Sequence, residues 1–404
     1  MTARRGPVLA LLLLQIAYGL LAMTLCLPSM PDWATLFGAT PAQVQLSFGG
    51  YLVAFGLAQL VHGPLSDRVG RRPVLLAGAA AAALGSLAAA AAPTLAALVA
   101  ARVLQGAGAA AGMVVGRALV HDHFQGPDRT RAMAWVGMAM GLCPPLATIV
   151  GGQLHVQLGW RANFVVLAAV ALALAAVTWR VLPARAASPA ARGAASASWR
   201  GMLQGYRTLL RERAFGWHVA VLGGTTGTFY VFLAGAPLVL APMGVGADRV
   251  GFFIAFVPLS YIAGNALTTR LARRFGDLAI MRGGQLLNLI SLTLLVGLAL
   301  AGWRHPLAFS APLVLMGIGH GLLLPPTLAR TVGMHAALAG AAAAVAGLMQ
   351  QLAGALGAYA VGLLRHDHVA PLGLLMLAIT AGAGWALHRA TGRAAAMPAP
   401  QMRP

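Results

Sequence analysis

Long apolar segments separated by short polar turns fill most of the chain. About 20 apolar residues are needed for a helix to cross a bilayer, and lipid offers the backbone no hydrogen-bond partner, so these segments are predicted to be helices. The strands of a β-barrel would instead alternate over about 10 residues. Twelve segments fit the helical pattern: 7–29, 44–64, 73–92, 96–120, 132–154, 162–182, 215–238, 249–270, 280–301, 308–329, 339–363 and 370–389.

A Pro/Ala/Ser/Arg-rich stretch separates the sixth segment from the seventh and becomes weakly amphipathic towards its end. This pattern is typical of a cytoplasmic linker, either solvated throughout or with Leu209 against lipid. The predicted domains are an N-terminal six-helix bundle (1–182), the linker (183–213), a C-terminal six-helix bundle (214–392) and a disordered tail (393–404).

An internal repeat supports this division. The second segment closes with L-S-D-R-V-G (Leu65–Gly70), and the eighth, its equivalent in the second half, closes with L-A-R-R-F-G (Leu271–Gly276). Half-chain duplication is typical of transporters whose halves rock about a central site. The second copy has Arg273 where the first has Asp67.

Composition agrees with a polytopic membrane protein. The chain is 59% hydrophobic and 9% charged, with a mean hydropathy of +0.78, whereas a soluble domain is about 45–50% apolar and about 25% charged. The absence of lysine excludes a Walker-A lysine and a lysine Schiff base, and no G-x-S-x-G or H-E-x-x-H motif occurs. The two H-D-H triplets fall on opposite membrane faces and cannot share an ion. We therefore expect no enzyme activity, cofactor or metal.

The net charge of +20 comes from 28 arginines. In a soluble protein it would suggest nucleic-acid binding, but in a membrane protein an arginine excess marks cytoplasmic loops. With both termini cytoplasmic, 23 arginines fall at cytoplasmic ends or loops, Arg102 lies within a segment, and four lie outside: Arg161, Arg249, Arg304 and Arg365. The prediction is a multi-pass monomer in a bacterial inner membrane, with both termini cytoplasmic and no nucleic-acid partner.

The turn after the second segment carries the most specific motif, G-P-L-S-D-R-V-G-R-R-P. Its glycines permit a tight turn, and Asp67 can pair with a neighbouring arginine or a helix N-terminus. The motif is interpreted as a gate that holds one conformer; the alternative is a loop that only fixes topology. The candidate gating residues are Gly63, Asp67, Arg68, Gly70, Arg71 and Arg72.

Arg102 lies about 9 Å inside the fourth segment at 1.5 Å per residue. A central arginine costs roughly 2.5–3.5 kcal/mol on insertion scales, so we expect it to face a polar cavity, unless it snorkels to the interface. It shares a helix face with Met113 and Arg117. In the fifth segment a small-residue stripe, which lets another helix pack closely, contains Gly137, Gly141, Pro145 and Gly152.

Together these residues make the chain resemble drug/proton antiporters of the major facilitator superfamily, in the bicyclomycin- and chloramphenicol-resistance (Bcr/CflA-like) branch. Further matches are L-P-S-M-P (Leu27–Pro31) and G-R-A-L-V-H-D (Gly116–Asp122). The resemblance implies a twelve-helix fold and export of small amphipathic compounds against proton entry. By position, Asp67 and Arg68 match the gate of the family, Arg102 matches its proton-relay arginine, and the stripe matches the antiporter motif.

Two departures from the pattern of the branch bear on the mechanism. Thr24 stands where the branch usually carries an aspartate, and Thr148 replaces a proline of the fifth-segment motif. The remaining proton-coupling candidates are Asp32, Arg102 and Asp122, and His62 and His320 are further ones because histidine titrates near neutral pH. Both acids lie near segment ends, which suit a buried carrier poorly, so we expect weak or altered coupling. A facilitator or importer of a metabolite, or a non-transport protein on this fold, remains an alternative.

The substrate site is expected to be apolar and aromatic with a few polar groups. Its predicted ligand is a small molecule, with protons and the bilayer as further partners. The candidate cavity residues are Tyr18, Thr24, Tyr51, Arg102, Gln105, Tyr230, Tyr261 and Gln350.

Overall fold

A computed structural model describes residues 5–182, 199–335 and 338–392, and within these ranges the chain is helical and contains no strand. Twelve helices are long and apolar enough to cross a membrane, which confirms the predicted number. They are α1 (Gly6–Leu36), α2 (Pro41–Val69), α3 (Arg71–Ala90), α4 (Leu95–His123), α5 (Gly126–Leu158), α6 (Trp160–Val181), α7 (Arg213–Met243), α8 (Ala247–Ala272), α9 (Arg274–Leu300), α10 (Pro306–Gly333), α11 (Ala339–Gly362) and α12 (Ala370–Thr391).

An even number of spans places the start of α1 and the end of α12 on one membrane face, here called the terminal face. The other is called the opposite face. Helices α1–α6 form the first half of the molecule, and α7–α12 form the second half. The predicted tail and linker residues 183–198 lie outside the described residues, and the domain boundaries remain predictions.

The first span is longer than predicted, because the helix breaks within the span and then continues as a second short helix. A regular helix runs over Arg5–Thr24, a 3₁₀ turn follows at Leu27–Ser29, and a second helix covers Met30–Leu36. Trp33 anchors that second helix: it is fully buried, with its ring centroid 5.5 Å from that of Trp160. The break therefore leaves helix ends inside the first half.

The end of the predicted linker forms a helix, Trp199–Arg211, that packs on the second half. Leu209 is fully buried and belongs to one apolar cluster with Phe215 of α7 and Val345 of α11. Leu209 therefore faces protein and not lipid, because α7 and α11 present an apolar groove at this point.

The predicted repeat appears in the backbone. Gly70 turns the chain between α2 and α3 with φ 100° and ψ 154°, and Gly276 turns it at the start of α9 with φ 72° and ψ 160°. Both values of φ favour glycine, which has no Cβ. The two sequence copies thus form the same turn in the two halves.

The halves meet along α2 with α11 and along α5 with α8. A Cβ on Gly362 would lie 2.7 Å from the nitrogen of Ala42, and one on Gly152 would lie 2.9 Å from the carbonyl carbon of Ala247. Both approaches are close to the opposite face. A Cβ on Gly137, towards the terminal face of α5, would meet no atom within 4 Å. The tightest junction between the halves is therefore at the opposite face.

Candidate functional site

Arg102 occupies a fully buried position in α4. Its guanidinium donates to the carbonyl of Ala22 at 2.7 Å and to that of Met23 at 3.4 Å, and it also donates to the side-chain oxygen of Gln105. Gln105 in turn donates to the hydroxyl of Ser86 at 2.7 Å. The arginine is thus turned into the first half and away from the lipid interface.

The break in α1 explains why carbonyl acceptors are available to this arginine. The last four carbonyls of a helix have no intrahelical partner, and Ala22 and Met23 belong to the last turn of the helix that ends at Thr24. A helix C-terminus also carries about half a negative charge, which favours a cation. The first half therefore accommodates the Arg102 cation without a carboxylate.

Two of the predicted cavity residues surround this cluster. The Tyr51 ring lies under the Arg102 guanidinium at 4.4 Å, and its hydroxyl donates to the carbonyl of Gly19 at 2.7 Å. Thr24 is fully buried, and its hydroxyl donates to the carbonyl of Leu20 at 2.8 Å. The structure therefore brings Tyr51, Gln105 and Arg102 together and satisfies Thr24 within its own helix.

Among the other cavity candidates, Tyr18 lies within Coulombic range of Arg102, whereas Tyr230 and Gln350 belong to the second half. Tyr18 donates to the carbonyl of Leu167 within the first half, and Gln350 donates to Thr226 within the second. Tyr230 is buried and meets Phe48 edge to face across the junction, with ring centroids 6.1 Å apart.

Tyr261 is half-buried on α8 and lies within Coulombic range of Arg117 on α4. Tyr261 is thus the predicted cavity residue of the second half that lies near a charged residue of the first half.

Arg71 is the centre of the predicted gate. It is largely buried and pairs with Asp67 at 2.5 Å and with Asp122 at 3.2 Å, while it donates to the Ser66 hydroxyl at 2.6 Å. These contacts join α2, α3 and α4 at the terminal face. The pairing with Asp122 was not anticipated, because 51 positions separate the two residues in sequence.

The remaining gating residues frame this centre. Arg72 lies over the ring of Trp179 on α6 at 4.2 Å. A Cβ on Gly63 would lie 3.5 Å from a side-chain carbon of Val114 of α4, which is ordinary van der Waals contact, so the packing there does not require glycine. Gly70 makes the turn itself. Arg68 is exposed.

The two acidic proton-coupling candidates lie at different faces. Asp32 is exposed at the opposite face, where His155 of α5 contacts its carboxylate at 3.0 Å. Asp122 lies at the terminal face with Arg71. Sequence reasoning gave no signal for His155, since lone histidines are common in helix ends.

The small-residue stripe of α5 contacts the second half unevenly. Gly152 approaches the backbone of Ala247, and a Cβ on Gly141 would lie 2.8 Å from a side-chain carbon of Ile262. The helix is continuous through Pro145.

The pattern of matches among known proteins accords with this geometry. The family model described as Major Facilitator Superfamily matches residues 11–358. The chain belongs to the major facilitator superfamily. The expected fold and family are therefore confirmed, and the superfamily consists of transporters rather than enzymes.

Relatives within the superfamily carry drug-resistance names. A chloramphenicol resistance protein of Pseudomonas aeruginosa is 29% identical over 74% of this chain and 70% of its own length. Multidrug resistance protein D of Escherichia coli is 29% identical over 92% of this chain and 93% of its own length. Among solved structures, a D-xylose-proton symporter matches with a TM-score of 0.75 over 95% of this chain and 96% of that one. Its 16% identity supports the shared fold alone.

Proposed function

We propose that this superfamily member exports small amphipathic compounds across a bacterial inner membrane by alternating access, acting as a monomer. The observation that carries the proposal is the junction at the opposite face, where Gly152 and Gly362 touch the backbone of the facing helices. Contacts of this kind are packing contacts, and side-chain hydrogen bonds from Gln153 to the carbonyl of Asp248 and from Gln45 to the carbonyl of Ala234 accompany them. Separation of the halves therefore requires few polar contacts to break. The names of the relatives support drug-like substrates.

The arginine distribution supports the orientation. Cytoplasmic loops carry an excess of arginine, and most arginines among the described residues lie at the terminal face. With that face cytoplasmic, a molecule closed at the opposite face is closed towards the periplasm. The proposed conformer therefore admits substrate from the cytoplasm.

Proton coupling is proposed to be weak. All eight acidic residues of the chain are described, and each is exposed or half-buried. Intramembrane proton relays use carboxylates or histidines that face the interior. Thr24 occupies the position where a carboxylate is expected from the resemblance, so the interior lacks that carrier.

The test uses purified protein in vesicles loaded with chloramphenicol, with and without an imposed pH gradient. We expect downhill efflux of chloramphenicol that is faster than from protein-free vesicles. The pH gradient should increase this efflux only slightly. Absence of efflux for this compound and for a panel of cationic and zwitterionic ones would contradict export. Accumulation many-fold above equilibrium that persists in Asp32→Asn and Asp122→Asn would contradict weak coupling. Thr24→Asp should steepen the response to the gradient.

A further inference from the structure

Arg117 is the second arginine within α4, and its environment differs from that of Arg102. It lies fifteen positions further along the helix, about 22 Å at 1.5 Å per residue, towards the terminal face. Its side chain is half-buried, and its Nε is inaccessible to solvent and has no hydrogen-bond partner. The only acceptor that the structure gives within its described part is the thioether sulfur of Met140 on α5, at 3.2 Å.

A guanidinium has five N–H donors and is always charged. Thioether sulfur is a weak acceptor, so Met140 does not replace the hydration that Arg117 loses. No carboxylate within the described ranges forms a salt bridge with Arg117, and Asp122, five residues along the same helix, pairs with Arg71. A partly buried charge without a carboxylate partner is costly, and a purely structural role for this arginine does not explain that cost.

The surroundings of Arg117 come from both halves. Met140 belongs to the first half, whereas Tyr261, within Coulombic range of the guanidinium, belongs to the second. The arginine therefore lies where the halves face each other, on the side of the molecule away from the tight junction. An aromatic ring and a flexible thioether form an adaptable apolar surface beside the charge.

From this arrangement we propose that Arg117 binds the anionic group of an amphipathic substrate, so that the transported class includes aromatic carboxylates and sulfonates. The inference rests on the proposed export function and specifies its substrate. An arginine fork binds carboxylate, sulfonate or phosphate through two parallel hydrogen bonds. Met140 and Tyr261 contact the apolar body of the same ligand. Arg102 is not available for this role because it is fully buried, and backbone carbonyls and Gln105 already accept hydrogen bonds from both of its terminal nitrogens.

The experiment measures binding of two fluorescent probes to the protein in nanodiscs of zwitterionic lipid. They are 8-anilinonaphthalene-1-sulfonate and N-phenyl-1-naphthylamine, which share a ring system and differ by the sulfonate. After subtraction of empty nanodiscs, the unmodified protein should bind the sulfonate at least about tenfold more tightly, as expected for a charge-assisted hydrogen bond. Arg117→Gln should abolish this preference, and Arg117→Lys should retain part of it.

Arg304→Gln is the matched control, because it removes one exposed arginine at the opposite face. It should leave the sulfonate preference unchanged. Binding of the neutral probe to Arg117→Gln verifies that this variant is folded. An equal preference in Arg117→Gln and Arg304→Gln would overturn the proposal. Loss of sulfonate binding on addition of phosphatidylglycerol would assign Arg117 to a lipid phosphate and overturn it as well.

Measurement of chloramphenicol efflux from vesicles distinguishes failure of the proposed export function from failure of the proposed anion site. If the unmodified protein exports nothing but binds the sulfonate through Arg117, the export function fails and the anion site stands. If Arg117→Gln keeps both efflux and anion preference, the export function stands and the anion site fails.

Discussion

Replacing Gly152 by alanine places one methyl group against the backbone of α8 where the halves meet. The added Cβ would collide with the carbonyl oxygen of Ala247, its nearest neighbour, and would lie 2.9 Å from the carbonyl carbon, whereas ordinary van der Waals contact begins at 3.4 Å. Backbone cannot rotate away as a side chain can. Overpacking of this kind typically costs about 1–3 kcal/mol, which is roughly a 5- to 150-fold shift in an equilibrium.

Only the conformer closed at the opposite face bears this cost, so Gly152→Ala should favour the conformer in which α5 and α8 separate. The assay is a distance measurement between spin labels at Gln157 and Arg249, which flank the contact, in a chain lacking Cys26 and Cys143. The distance distribution should move to longer values, and efflux should fall.

Gly137→Ala is the matched control. It makes the same change on the same helix, where the new Cβ meets no atom within 4 Å. The gain in intrinsic helix propensity is the same in both variants, so a difference between them reports the contact. If both variants give the parental distance distribution, the tight junction at Gly152 does not set the conformational balance.

Three further predictions follow from the polar contacts. Asp67→Asn removes one of the two carboxylates on Arg71, so efflux should fall about tenfold while expression stays near normal; efflux within about a factor of two of the parent would remove Asp67 from the gate. Arg102→Gln leaves the carbonyl of Ala22 without its charged donor, at a cost of about 1–3 kcal/mol; thermal unfolding in detergent should occur several degrees lower, and an unchanged midpoint would contradict this. Burial lowers the pKa of His366, which lies between α11 and α12. The unfolded chain therefore binds more protons below about pH 6.5, so stability should decline as pH falls through that value. His366→Asn should flatten this decline, and equal pH slopes would show that another group titrates.

The spans could be predicted because a bilayer imposes a length and a polarity on every segment that crosses it. Where the first span ends was not predictable in the same way. After Pro28 the chain turns within the protein, and its continuation to Leu36 contains Asp32, which lowered the apolar signal. That continuation is held by Trp33 against α6, a contact between residues far apart in sequence.

The sequence predicts that the buried arginine needs hydrogen-bond acceptors, but it does not predict which groups supply them. The depth of Arg102 required acceptors, but the acceptors are backbone carbonyls of α1, and every residue has a carbonyl. Which carbonyls are free depends on where the helix breaks. Ser86 is one of the few polar residues in an alanine-rich helix, and that contrast was the one available signal for its link to Gln105.

The partners of Arg102 also bear on the order of biosynthesis. Its hydrogen-bond acceptors and the two aromatic rings beside it, those of Tyr51 and Phe164, all precede residue 182. Domains generally fold from the N-terminus as the ribosome extends the chain. When α4 leaves the translocon, the broken turn of α1 is already in the membrane to receive the arginine. The fully buried Arg102 cation therefore has its hydrogen-bond acceptors in place before α7 has been translated.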